Sequence, residues 1–119
     1  MPSILCVDAD ETVRDWLDLV LGEAGYEVHL EEMASDVVKP LRDKYRPDLL
    51  ITDFEMPEES ISGLALAKLA RDYHPDLPLI FLSETPDPTE IPGPMLILNK
   101  PISREALVAA VQGLLGTEV

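Results

Sequence analysis

Two carboxylates, a hydroxyl and an ammonium stand at the ends of four short apolar runs. Asp8 follows Ile4-Leu5-Cys6-Val7, Asp53 follows Leu49-Leu50-Ile51-Thr52, Ser83 follows Leu79-Ile80-Phe81-Leu82, and Lys100 follows Leu96-Ile97-Leu98-Asn99. Brought to one spot, such a set can bind a divalent cation through hard oxygen donors, offer a carboxylate nucleophile, and hold a transferred phosphoryl group. A parallel sheet would bring them there. Short apolar runs alternating with helical patterns read as buried parallel strands. In an open parallel sheet, ligands gather outside the carboxyl ends of the strands.

The elements that must do the positioning form five β/α units with one irregularity. The first strand is expected at about Ser3–Val7, followed by a helix whose apolar face carries Val13, Trp16, Leu17, Val20, Leu21 and Ala24. Asp10 suits its N-cap and Gly25 its C-terminal turn. The run Tyr26–Glu31 alternates apolar and polar residues, as an edge strand with one wet face does. A helix near Ser35–Tyr45 must be kinked or delayed by Pro40. A strand at Asp48–Asp53 and a helix at Ser62–Tyr73, with Leu66, Leu69, Ala70 and Tyr73 on one face, come next. Strands at Pro78–Leu82 and Met95–Leu98 follow, and the last helix starts after Ser103, turning Leu107, Ala110, Val111 and Leu114 inward. The irregularity is Glu84–Pro94, with prolines at 86, 88, 92 and 94. Each proline inside a helix costs about 3 kcal/mol, so an extended connector is expected between strands four and five.

A chain of 119 residues is expected to form one domain, residues 1–119, with a core of aliphatic side chains, since 46% of residues are hydrophobic and only 5% aromatic. The formal net charge of −14 opposes nucleic acid and anionic membrane surfaces as partners. Cys6, alone of its type, cannot form an internal disulfide, and inside a strand it reads as a buried thiol. With no secretory signal and no apolar stretch of about 18 residues, the chain reads as cytoplasmic.

In order along the chain, Ile4-Leu5-Cys6-Val7-Asp8, Pro47-Asp48-Leu49-Leu50-Ile51-Thr52-Asp53-Phe54-Glu55-Met56-Pro57, Gly63-Leu64, Ser83 and Lys100-Pro101 resemble the receiver domain of two-component response regulators over the whole length. The resemblance implies a flavodoxin-like α/β fold, a five-stranded parallel sheet in order 2-1-3-4-5 with helices on both faces. The helix between strands four and five is expected to be missing or replaced by the proline-rich loop. It implies a phosphoprotein of a phosphorelay rather than an enzyme. Asp53 would take a phosphoryl group from a histidine kinase or phosphotransfer protein as an aspartyl phosphate, switching contact with an output protein. Ser83 and Lys100 would bind the phosphoryl group. Mg²⁺ would be held by Asp8, Asp53 and the backbone carbonyl of Glu55, with Asp10 as a further candidate ligand. Physical chemistry agrees: carboxylates repel an incoming dianion unless cations intervene, and phosphoryl transfer needs mainly positioning and charge neutralisation.

Departures from the family pattern keep a second reading open. The usual second acid after strand one is Ala9; Asp10 either reaches into the metal site or caps the helix. Glu84 stands where a small residue is usual after the hydroxyl, Glu55 adds an acid two places after Asp53, and Ile97 takes the place of the switch aromatic. These changes suit a pseudo-receiver, a protein-interaction module working without phosphorylation. For the receiver's output, partner contacts are expected on Glu84–Pro94 or on the first helix. A flavodoxin-like cofactor binder is disfavoured, because Asp8-Ala9-Asp10-Glu11 would repel a bound phosphate. His29 reads as solvated, His74 as a helix-end residue, Trp16 as core, Glu58 and Glu59 as loop charges, and an Asp8–Lys100 structural ion pair is the plainer alternative to a site.

Overall fold

The apolar runs do become strands. In the computed structural model, which describes residues 1–55, 61–84 and 92–116, β1 is Ser3–Val7, β2 Glu27–Glu31, β3 Leu49–Asp53, β4 Leu79–Ser83 and β5 Met95–Asn99. All pair in parallel, in the order β2-β1-β3-β4-β5. β1, β3 and β4 are interior strands buried on both faces, which is why they read as unbroken apolar runs. β2 lies at an edge and alternates exposed with half-buried residues, as its sequence alternation demands.

Successive strand residues point to opposite faces, so each strand feeds two cores. On one face Ile4, Cys6, Ile51, Ile80 and Leu82 pack with Leu17, Val20 and Leu21 of α1 (Glu11–Glu23) and with Leu107 and Val111 of α4 (Arg104–Leu115). Burial there pushes the Cys6 thiol pKa well up, in keeping with an inert thiol. On the other face Leu5, Val7, Leu50, Leu79 and Phe81 pack with Leu41 of α2 (Val38–Asp43) and with Leu66, Ala67 and Ala70 of α3 (Gly63–Tyr73).

Helix ends follow local chemistry. The Asp10 carboxylate accepts from the Thr12 amide, Ser62 Oγ from Ala65, and Ser103 Oγ from Ala106, each satisfying an amide that the first helical turn leaves unpaired. Gly25 takes φ 96° just past α1. Pro40 does delay α2, which is preceded by a 3₁₀ turn at Ala34–Asp36. As the third residue of α2 it forfeits no hydrogen bond, since the first four helical amides have no intrahelical partner.

Two details depart from the helical reading. Trp16 is half-buried against the core rather than enclosed by it, because it lies at the margin of the α1 face centred on Leu17, Val20 and Leu21. On α3, Ala67 rather than Leu69 or Tyr73 lies fully against the sheet, and those two side chains are half-buried.

Among the described residues no helix joins β4 to β5; residues 85–91 of the proline-rich connector, and with them Pro86 and Pro88, lie outside the described residues, as do Glu58 and Glu59. The connector's described end is held from α3. The Arg71 guanidinium donates to the carbonyls of Leu77 (2.6 Å), Pro94 (2.6 Å) and Pro92. Among the described residues, no helix is long and apolar enough to cross a membrane.

Candidate functional site

Asp8 and Asp53 are brought to one edge of the sheet because β1 and β3 are neighbours, with Val7 opposite Thr52. β4 sets Ser83 beyond β3, and the register Ser83↔Asn99 carries Lys100 to the same edge. The backbone continues the sheet there: the Phe54 amide donates to Leu82 and the Lys100 amide to Ser83.

Lys100 is the hub. Its ammonium lies 3.3 Å from Asp8 Oδ2 and 3.5 Å from Asp53 Oδ1. Asp8 is 1% exposed, so its charge depends on partners. Besides Lys100, its Oδ1 accepts from the Asp10 amide at 2.9 Å. Arg14, a residue the sequence reading passed over, donates to the Asp8 backbone carbonyl at 2.7 Å and fixes the turn from β1 into α1. An arginine on the half-buried side of the first helical turn was the available signal.

Burial raises the Asp53 pKa to about 6, and repulsion from Asp8 adds to that; Lys100 opposes both. For Lys100 burial alone would lower the pKa, but the Asp8 and Asp53 carboxylates more than compensate and raise it. The pair of carboxylates is thus under-neutralised by a single ammonium. That is the electrostatic setting in which a hard divalent cation is favoured, and the donors present, carboxylate and carbonyl oxygens, fit Mg²⁺. Among the described residues no cluster of three or more acid, histidine or cysteine side chains is placed to hold a metal ion. Asp10 is exposed and its Oδ1 caps α1 through Thr12.

Glu55 goes elsewhere. Its amide donates to Asp53 Oδ1 at 3.3 Å, while its side chain crosses to β4. There Oε1 accepts from Ser83 Oγ at 2.6 Å and from the Glu84 amide at 3.1 Å. Ser83 is fully buried and Glu84 is exposed.

Gly63, noted in the sequence only as the start of a helix, has a steric role. A Cβ there would lie 2.9 Å from the Asp53 carbonyl carbon and closer still to its oxygen. α3 therefore abuts the end of β3 at the site itself. Ile97 is half-buried and packs with the α2–α3 core. His29 is exposed beside Glu27 and edge-on to Tyr45, and His74 Nε2 lies 2.9 Å from the Leu41 carbonyl, joining α3 to α2. Next to the four-residue site runs an open, mainly apolar groove of about 560 Å³, walled by Val13, Trp16, Ile102 and Pro101 and reaching Lys100 and Glu84.

Residues 4–112 match the family model of the response regulator receiver domain. The response regulator receiver protein CpdR of Brucella abortus is 31% identical over 122 residues, covering 97% of this chain and 98% of that protein. The DNA-binding transcriptional regulator NtrC of Proteus hauseri is 32% identical over 85 residues, 71% of this chain but only 17% of its own length. Among solved structures, the chemotaxis response regulator CheY4 of Vibrio cholerae superposes with a TM-score of 0.83 at 26% identity, covering 96% of this chain and 98% of that one. The receiver domain of the hybrid histidine kinase CckA superposes with a TM-score of 0.80 at 30% identity, covering 95% and 98%.

Proposed function

Because the chain belongs to the response regulator receiver domain family, a family of signalling domains, we propose that it is a phosphoacceptor switch whose acceptor is Asp53. The observation that carries this reading is that Asp8 and Asp53 both come within 3.5 Å of the Lys100 ammonium at the strand ends, with Ser83 on the strand next to Asp53.

In the reaction, an Asp53 carboxylate oxygen forms a bond to phosphorus as the phosphorus–nitrogen bond of a donor phosphohistidine breaks. The donor nitrogen keeps the electron pair and takes up a proton, and Asp53 becomes an acyl phosphate. Lys100 faces the negative charge that builds on the phosphoryl oxygens, and the Ser83 hydroxyl and Glu84 amide supply donors to them. Mg²⁺, when bound by Asp8, Asp53 and the Glu55 carbonyl, would supply the neutralisation that Lys100 alone leaves incomplete. The donor is a histidine kinase or phosphotransfer protein, and the apolar groove beside Lys100 supports a protein donor. The output is a changed contact with a protein partner.

A second reading, a phosphorylation-independent interaction module, is favoured by Ala9 in place of an acid and by the Glu55 carboxylate already bonded to Ser83 and Glu84. Acetyl phosphate with Mg²⁺ separates the two. Intact mass should rise by one phosphoryl unit in the wild type and not in Asp53→Asn. A wild type that stays unmodified with acetyl phosphate and with phosphorylated kinases hands the case to the second reading.

A further inference from the structure

Glu55 Oε1 accepts two hydrogen bonds, from Ser83 Oγ at 2.6 Å and from the Glu84 amide at 3.1 Å. These are two converging donors at the end of β4, on the strand next to the Asp53 carboxylate. A phosphoryl oxygen on Asp53 that used the same donors would have to occupy the position of Glu55 Oε1. Two anionic oxygens cannot share it, being excluded by both volume and charge.

We propose that Glu55 is an internal ligand of the phosphoryl cradle, one that must be displaced before Asp53 can be phosphorylated and that thereby sets the rate of phosphorylation. The inference rests on Asp53 being the acceptor. Its geometry is local and tight. The Glu55 backbone is tied to the acceptor itself, because its amide donates to Asp53 Oδ1 at 3.3 Å. From that anchor the two side-chain methylenes of glutamate span the distance to β4. An aspartate at this position keeps the charge but is one methylene shorter and does not reach Ser83 Oγ. Hydrogen bonds to a charged acceptor are among the stronger ones, so their loss is felt in the rate.

The length difference provides the test. Phosphorylation of the full chain by acetyl phosphate and Mg²⁺ is timed by intact mass in wild type, Glu55→Ala and Glu55→Asp. Displacement as the limiting event predicts that both variants gain about tenfold in rate, Asp included, because neither occupies the cradle. It also predicts that the Glu84 amide resonance shifts in both variants before any phosphoryl donor is added. If Glu55→Asp remains as slow as wild type while Glu55→Ala speeds up, general charge repulsion is the cause and the internal ligand is overturned. Equal rates in all three proteins, with the label on Asp53, overturn it while leaving the acceptor reading intact. No uptake by any of the three, from acetyl phosphate or from a phosphorylated kinase, overturns both.

Discussion

Gly63 and Asp53 are in backbone contact: α3 starts so close to the end of β3 that a single added methyl at Gly63 would overlap the Asp53 carbonyl. The helix start acts as a backstop for Asp53, the proposed acceptor. Overpacking at a close approach costs about 1–3 kcal/mol. Gly63→Ala is therefore expected to lower stability by that amount and to slow phosphorylation more than its stability loss explains. Urea unfolding gives the first quantity, and acetyl phosphate kinetics well below the midpoint give the second.

Asp53→Asn is expected to stabilise the fold at neutral pH. The native carboxyl titrates at about 6 against an ordinary 3.8, with burial as the main cause. Between those values the native state holds more protons than the unfolded state, so stability falls as pH rises through the window. A neutral isostere removes this penalty, worth roughly 1–3 kcal/mol above pH 6. The gain should vanish near pH 4, where the wild-type carboxyl is protonated when folded. Urea melts of both proteins in metal-free buffer at pH 7 and pH 4 measure it, and a gain unchanged at pH 4 would contradict the assignment.

Lys100→Met removes the charge shared by Asp8 and Asp53. Asp8 is almost wholly buried, and stripping a buried charge of its partner costs about 3 kcal/mol. Asp53 should then titrate above about 6, because Lys100 is the side chain holding it down. Carboxyl NMR titration checks the shift, and urea unfolding at pH 7 the loss.

Arg71→Gln tests how a receiver manages the connector between β4 and β5. Three carbonyls, at Leu77, Pro92 and Pro94, lose charged donors. A loss of roughly 2 kcal/mol is expected, together with faster amide hydrogen exchange in β5, the edge strand that the connector delivers. Unchanged exchange there would mean that β5 is held by its pairing with β4 alone.

The strands were legible because interior parallel strands carry no polar residues until their ends. Asp8, Asp53 and Ser83 at those ends stood out for that reason, and Lys100 stood out likewise at the end of the apolar run that forms the edge strand β5. Helix caps at Asp10, Ser62 and Ser103 were legible for a similar reason, since capping is decided within three residues. What the sequence could not convey was how side chains separated in the chain choose among partners. Glu55 was visible as an extra acid beside Asp53, but its bond to Ser83 spans 28 positions and depends on the β3–β4 register. The need for glycine at 63 likewise depends on how closely α3 approaches β3, a tertiary distance with no local signature. Trp16 looked like core because periodicity tells which face a residue is on and not how far a neighbouring helix covers it.

The most direct measurement of the central claim is to trap the acceptor chemically. After reaction with acetyl phosphate and Mg²⁺, borohydride reduces an aspartyl phosphate to homoserine with release of phosphate, and peptide mass mapping locates the change. Homoserine at residue 53, absent from Asp53→Asn, is the predicted result. A reduced residue at another acid, or a wild-type chain that yields none after prolonged reaction with acetyl phosphate and with a phosphorylated kinase, would contradict it.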